Sequence, residues 1–316
     1  MVIVNQGETR KVVALFMDIR GFSHMFEMLP AEKVYMFTNR YFKSAYDIIV
    51  RYKGMLDNIV GDGLLAIWGK EKWLPKSPFY AVRAALEMRM ALLRQNIQYK
   101  WEAHFPLEIG VGVAMGEALH CIVGPAENAI DTFFGSPVIL ASRLGDLARH
   151  NNILVDDQVA KTVRKWAKLE DMPEKQIQGF KKKLPLFRVE GLMDFSLKAG
   201  ERRKTSFIRY VFPEIIALVM KKNGMRKPVI LKNISATGAG IEIVQKDDYD
   251  LNEDDEIMLD LRRFQLPDFD TIDGRIVQIR SISEESDIER RLSQLGIAFT
   301  NIDPMKSKLL EQLNIA

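Results

Sequence analysis

The chain has 316 residues, about the length of two average domains. Hydrophobic residues make up 47 % and charged residues 28 %, and the formal net charge is +3, a balance that excludes a disordered or collagen-like protein. The single cysteine, Cys121, excludes an internal disulfide, and none of the four histidines has the spacing of a zinc ligand. No apolar run reaches the roughly 20 residues that cross a bilayer. We therefore expect a cytoplasmic protein without a membrane span.

Strand and helix patterns alternate in the first part of the chain. The segment KVVALFMD predicts a buried strand, and apolar residues at steps of three and four predict a helix that Gly54 ends. MLDNIV and LLAIWG flank the glycines Gly61 and Gly63, a pattern typical of a β-hairpin. Ser77 and Pro78 predict the start of a second helix.

The alternation continues to about residue 190. LEIGVGVAMGEALHCIVG predicts another pair of strands, SPVILASRLGDLARH a third helix, NNILV a strand and DDQVAKTVRKWAK a further helix. Helices that cover a sheet in this order indicate an α+β or α/β domain.

Short strands at a spacing of about ten residues follow Gly191 and indicate a small barrel or sandwich. The predicted strands are residues 210–220, 228–231, 240–244, 256–261, 271–279 and 295–299. Asp303 and Pro304 predict the start of a closing helix. The polar segment LMDFSLKAGERRK predicts the domain boundary near residue 195, which gives domains 1–195 and 196–316.

Two carboxylates are candidates for a metal site. Asp18 ends the first strand, and Asp62 lies in the predicted hairpin turn. If these strands are neighbours, both carboxylates lie at one end of the sheet, where oxygen ligands and substrate phosphates can hold Mg²⁺ or Mn²⁺. Taken singly, each residue is more typical of a helix cap or a tight turn.

Four segments occur with the order and spacing of a class III nucleotidyl cyclase domain, the family that makes cyclic AMP and cyclic GMP: VVALFMDIRGFSHMFEML, LDNIVGDGLLAIWG, GVAMGEALHCIVG and DTFFGSPVILASRLGDLA. Residues 10–190 therefore resemble that family. The resemblance implies a ferredoxin-like α+β core that works as a head-to-tail homodimer, in which a helix of the partner chain supplies charge stabilisation to the metal site. It also implies two Mg²⁺ or Mn²⁺ ions per active site, with metal ligands at Asp18, Ile19 and Asp62. Such ions would lower the pKa of the ribose 3′-hydroxyl and neutralise the leaving pyrophosphate.

The remaining functional positions of that family are kept unevenly. Arg143 falls where the family has its phosphate-binding arginine. Ile139 stands in place of an asparagine that steadies the transition state, and an isoleucine on an amphipathic helix usually faces a core. The pair that recognises the base falls on Asn58 and Thr132. Because the amide of Asn58 both donates and accepts hydrogen bonds, the identity of the preferred base is left undetermined. The domain is thus either a working, slow cyclase of a nucleoside triphosphate or a degenerate module that binds nucleotide or dimerises.

The second half carries the segments ERRKTSFIRY and NISATGAG, which together form a candidate anion site; a solvated basic stretch followed by a turn is the plain alternative. Residues 200–316 resemble a PilZ domain, the bacterial receptor for cyclic di-GMP, through NISATG, DGRIVQIRSI and LGIAFTNIDP. That resemblance implies an all-β six-stranded barrel with a C-terminal helix. It places the cyclic di-GMP ligands at Arg202, Arg203, Arg209, Asn233, Ser235 and Gly238. The family's RxxxR spacing is absent, because Arg203 and Arg209 are six residues apart.

The order of the two domains suggests a second-messenger protein in which cyclic di-GMP regulates cyclisation. Ten Lys and Arg against two Glu lie between Lys198 and Lys232, which favours an anionic ligand there. The segment lacks the helix or aromatic stacking platform of a nucleic-acid binder, so we expect no nucleic-acid partner.

Overall fold

A computed structural model of the chain describes residues 7–98, 107–192, 209–221, 223–234, 237–245, 251–262, 271–282 and 291–300. Its contacts divide the chain into two compact units. The first comprises residues 1–92 and 101–192, and the second comprises residues 93–100 and 193–316. No helix of the described residues is long and apolar enough to cross a membrane.

The first unit contains eight strands and five α-helices among its described residues. In chain order they are β1 (Glu8–Arg20), α1 (Phe22–Met28), α2 (Ala31–Arg51), β2 (Met55–Val60), β3 (Gly63–Trp68), α3 (Ser77–Gln98), β4 (Glu108–Val123), β5 (Ile130–Phe134), α4 (Ser136–Leu147), β6 (Ile153–Asp156), α5 (Asp157–Val163), β7 (Ala167–Gln176) and β8 (Lys183–Leu192).

These strands form one mixed sheet in the order β2-β3-β1-β4-β6-β8-β7, with β5 paired to β4. The β4–β6 pairing is parallel, and β1 lies antiparallel between β3 and β4. Because side chains alternate along a strand, β1 serves two cores. Val13, Leu15 and Met17 belong to the core that includes residues of α2 and α3, whereas Val12 and Ala14 pack with α4. The α+β prediction is confirmed.

The prediction of a strand pair in LEIGVGVAMGEALHCIVG is wrong, because β4 is one continuous strand of 16 residues. Its glycines admit the neighbouring helix instead of making a turn. A Cβ on Gly112 would lie 2.1 Å from the backbone oxygen of Ala141 in α4, and one on Gly110 would lie 2.3 Å from that of Ala148. Gly124, at φ 106°, follows the strand directly.

The helix predicted from DDQVAKTVRKWAK is also too long. It ends at Val163, and Ala167 already begins β7, which pairs with β8 in an antiparallel hairpin that the sequence pattern did not reveal. In a short segment, a strand with only one buried face and an amphipathic helix give similar patterns of polar and apolar residues.

The second unit is a closed antiparallel barrel with the strand order β10-β11-β14-β13-β12-β9. Its strands are β9 (Arg209–Met220), β10 (Arg226–Ile234), β11 (Gly238–Gln245), β12 (Glu256–Asp260), β13 (Thr271–Ile282) and β14 (Arg291–Phe299). Aliphatic side chains such as Leu218, Ile241 and Leu259 fill its interior. The six-stranded barrel is confirmed. The predicted closing helix and the polar segment near residue 195 lie outside the described residues.

Candidate active site and nucleotide cleft

The structure brings the two candidate metal ligands of the first unit together. Asp18 pairs in register with Gly63 of β3, and the backbone N–H of Ile19 donates to the carbonyl oxygen of Asp62 at 3.2 Å. Burial and the nearby Asp62 carboxylate both raise the pKa of Asp18. The hairpin β2–β3 therefore sets Asp62 beside the end of β1, although 43 residues separate them in the sequence.

Arg20, which the sequence reasoning missed, ties Asp18 to α4. Its Nη1 donates to Asp18 Oδ2 at 2.9 Å, while its Nη2 donates to the carbonyl oxygens of Gly145 and, at 3.1 Å, of Ala148. Asp18 and Arg20 share one face of β1 because they are two residues apart. That spacing is the signal by which the pair could have been found.

The two carboxylates fit a hard divalent cation. Burial first, and then the like charge of Asp62, raise the pKa of Asp18, so a bound cation would stabilise the ionised carboxylates. No group of three or more His, Cys, Asp or Glu side chains with metal-ligand geometry occurs in the described part of the chain. Further ligands would have to be backbone or substrate oxygens, and the carbonyl is the only ligating atom that Ile19 offers.

A cleft of about 440 Å³ lies between β2, β5 and α4. Among the side chains that line it are Asn58, Thr132, Ile139 and Arg143, four positions selected from the sequence. Phe16 also lines it, two residues before Asp18 on the same face of β1. Strand β1 therefore contributes one lining residue of the cleft and, two positions later, the first candidate carboxylate, although neither Asp18 nor Asp62 is among the lining residues.

Ile139 and Arg143 of α4 both line the cleft, and they lie on one helix face because they are four residues apart. Ile139 is 52 % exposed, so the reading that it faces a core is wrong. The buried stripe of α4 is formed by other residues, namely Leu140, Ala141 and Leu144. Arg143 Nη1 lies 3.5 Å from Asp146 Oδ2, and its Nε has no hydrogen-bond partner among the described residues. Its guanidinium keeps donors for an anion.

Near the two positions expected to recognise the base, the cleft contains a hydrogen bond that the sequence did not predict. Thr132 Oγ1 donates to Asp57 Oδ2 at 2.8 Å, which joins β5 to β2. Burial raises the pKa of Asp57, and the hydrogen bond from Thr132 and the charge of Lys70 act in the opposite direction. Asn58, next in sequence, is exposed at the rim. Two polar side chains of β2 therefore line the cleft where one was expected.

In the barrel, three of the predicted ligand positions lie on adjacent strands at one end. Arg209 begins β9 and pairs with Ile234, while Asn233 pairs with Tyr210 of β9 and with Gly240 of β11. Gly238 begins β11, and a Cβ there would lie 2.2 Å from the backbone oxygen of Ile297. The other predicted ligands lie outside the described residues: Arg202, Arg203 and Ser235.

The first unit is a helix-covered mixed sheet with two carboxylates near the end of one strand. A closed six-stranded barrel follows it in the sequence. This combination is typical of nucleotide-cyclase domains fused to a ligand-binding barrel. The chain belongs to the adenylate and guanylate cyclase catalytic domain family, whose family model matches residues 4–191. The PilZ domain family model matches residues 201–315. Both predicted resemblances are confirmed.

Solved cyclase structures agree with the assignment of the first domain, and the chain also matches uncharacterised relatives. Uncharacterised proteins of Mycobacterium bovis and Mycobacterium tuberculosis are 32 % identical over 145 residues, which is 45 % of this chain and 24 % of theirs, so the chain spans about a quarter of the length of these curated relatives. The adenylyl cyclase CyaB from P. aeruginosa is 26 % identical with a TM-score of 0.57 over 58 % of this chain and 96 % of its own. The guanylyl cyclase Cya2 is 26 % identical with a TM-score of 0.55, over 60 % and 95 %.

Proposed function

We propose that this protein is a nucleotidyl cyclase, a phosphorus–oxygen lyase that converts a nucleoside triphosphate into a 3′,5′-cyclic nucleotide and pyrophosphate, and that cyclic di-GMP bound to the barrel regulates it. The observation that carries the proposal is the cleft, which is lined by the positions expected to recognise the base (Asn58 and Thr132) and the phosphates (Arg143). In a head-to-tail dimer, the Asp18–Asp62 pair of one copy would face the cleft of the other.

In the reaction, a bond forms between the ribose 3′-oxygen and the α-phosphorus while the bond from that phosphorus to the bridging oxygen breaks, and the 3′-hydroxyl proton passes to water. Asp18 and Asp62 would hold Mg²⁺ or Mn²⁺, which supplies positive charge to the 3′-oxygen and the phosphates. The partner's Arg143, on α4 of the second copy, would present a planar fork to the phosphates. Arg20 keeps the Asp18 carboxylate oriented through its own bonds to α4. The chain's contribution is to position and neutralise.

Exposed apolar side chains around the cleft support a homodimer. Val60, Phe134 and Ile139 line it and are 60 %, 54 % and 52 % exposed, and Ile59 and Ile130 on the neighbouring strands are also exposed. An apolar rim of this kind is typical of a surface that another protein covers. A second copy packed head to tail would cover it and close the nucleotide in.

One observation favours a second candidate function. Ile139 offers no hydrogen bond to a transition state and places apolar atoms in the cleft. A degenerate cyclase domain that binds nucleotide or dimerises, within a receptor for cyclic di-GMP, would tolerate this residue.

Product analysis separates the two candidates. The full chain is incubated with Mn²⁺ and, in turn, ATP, GTP, CTP and UTP, and products are identified by mass spectrometry. We expect a cyclic nucleotide from the native chain and none from Asp62→Asn, which keeps the turn but loses the charge. Asp171→Ala is the matched control, because Asp171, on β7, is an exposed carboxylate that pairs with Arg164. If no triphosphate gives a cyclic product, the cyclase proposal is refuted and the receptor function is favoured.

Regulation is tested with the same assay. We expect cyclic di-GMP to bind the full chain, to change its turnover, and to lose both effects in Arg209→Ala. Arg275→Ala is the matched control, since Arg275 is exposed on β13 and faces Asp254. Unchanged turnover together with demonstrated binding would contradict the regulatory proposal.

A further inference from the structure

Strand β2 contains one residue more than its partner requires. Leu56 pairs with Ala66 and Asn58 pairs with Leu65, so Asp57 is an extra residue in a β-bulge. In a regular strand, neighbouring side chains point to opposite faces. A bulge redirects the local chain, and here it allows Asp57 and Asn58 to line the same cleft.

Asp57 is committed to one partner in this cleft. Its Oδ2 accepts the Thr132 hydroxyl at 2.8 Å, whereas its Oδ1 is buried without a hydrogen-bond partner in the described structure. The charged groups that influence it are Lys70, Asp131 and His120, and Lys70 Nζ and Asp131 Oδ2 pair at 2.6 Å. A carboxylate can only accept hydrogen bonds, so the Thr132 proton must point toward Asp57.

The direction of that proton decides what Thr132 can offer a ligand. A free hydroxyl both donates and accepts, but one whose proton is already used keeps only its lone pairs. We propose that Asp57 is a positioning residue for base selection: by fixing Thr132 as an acceptor, it makes the cleft select nucleotides whose base carries an exocyclic amino group. The inference rests on the proposed function in that the cleft binds a nucleoside triphosphate.

Binding of non-cyclisable probes tests this inference without turnover. The 3′-deoxy triphosphates of adenosine, guanosine and inosine lack the attacking hydroxyl, and the hypoxanthine base of the inosine form has no exocyclic amino group. Dissociation constants are measured by titration calorimetry on the full chain with Mn²⁺. We expect the better of the adenine and guanine forms to bind roughly 5- to 10-fold more tightly than the inosine form, the value of one neutral hydrogen bond.

Variants of the pair separate positioning from a merely structural role. Asp57→Ala frees the hydroxyl to donate, so the preference should fall below about 2-fold by the same reasoning. Asp57→Asn keeps an acceptor oxygen and should retain the preference. In the Thr132→Val background, Asp57→Ala should have no further effect on the preference, because the residue acts through that hydroxyl. Asp171→Ala removes an exposed carboxylate of β7 that does not line the cleft; it is the control, and its preference should match that of the native chain.

Three results would overturn the inference: equal binding of all three probes by the native chain, no binding of any of them, or an unchanged preference in Asp57→Ala. A preference that Asp57→Ala reduces equally with and without Thr132 would also overturn it. If the chain prefers the adenine or guanine probe over the inosine probe but forms no cyclic product, only the cyclase proposal is refuted. Cyclic product without a preference removes the base-selection proposal alone.

Discussion

The substitution Ile139→Asn tests whether cyclisation is limited by one missing hydrogen-bond donor. Residue 139 lies on the cleft side of α4, one turn before Arg143, and is 52 % exposed. An asparagine there would place an amide within the same cleft without disturbing the buried stripe of the helix. We expect the turnover number to rise.

The expected rise in turnover is estimated by comparing the stability lost when the isoleucine is removed with the rate gained from the new hydrogen-bond donor. Full burial of an isoleucine side chain contributes about 1.5–3 kcal/mol, so a half-buried one contributes about 1 kcal/mol, a loss that a folded domain tolerates. A positioned donor to a developing charge contributes on the order of 10²- to 10³-fold in rate. The gain in turnover should therefore be far larger than any change in the amount of folded protein.

The assay measures cyclic product formed per minute at saturating Mn²⁺ and triphosphate, with the folded fraction checked by circular dichroism. Ile139→Asp is the matched control, because aspartate has the shape of asparagine but no amide donor when ionised. It should give no gain. Equal rates for Ile139→Asn and the native chain, or equal gains for both substitutions, would refute the reasoning.

Two predictions concern stability. Gly112→Ala should lower the free energy of unfolding by about 1–3 kcal/mol, because the added Cβ would overlap the α4 backbone. Gly116→Ala should change that free energy little, because its Cβ would lie 3.6 Å from Pro137. Equal melting temperatures for the two variants would contradict this prediction. Burial raises the pKa of Asp156, the N-cap of α5, from 3.8 to about 6, so the folded chain binds this proton more tightly than the unfolded chain. As the pH falls from about 6 to 3.8, the native chain should gain up to about 3 kcal/mol relative to Asp156→Ser in urea unfolding, and a relative loss would contradict the assignment.

The sequence predicted the carboxylate pair because local rules were enough. The predicted strand end at Asp18 is wrong by two residues, because β1 continues to Arg20. The glycine turn does enclose Asp62, and hairpin strands lie next to each other. Nothing in the spacing itself says which other strand flanks β1, so the ties from Arg20 to the end of α4 could not be foreseen from it. Such ties depend on pairs of residues distant in sequence.

The failures have a common physical origin. A glycine can mark either a turn or a close approach of two backbones, and the sequence does not distinguish Gly112, which admits α4, from a turn residue. Likewise the position of Ile139 on α4 depended on which stripe of that helix the sheet would bury. A bulge depends on the register of two strands, so the joint exposure of Asp57 and Asn58 to one cleft could not be read from β2 alone.

The same bulge gives β2 a tolerance for changes of length. Because Asp57 has no partner on β3, a chain that lacked this residue could keep Leu56 opposite Ala66 and Asn58 opposite Leu65, and the turn that carries Asp62 would stay in place. Loss of any paired residue of the strand would instead shift every side chain beyond it to the opposite face. Evolution could therefore add or remove the selector of the base by a single-codon insertion or deletion, without rebuilding the metal site.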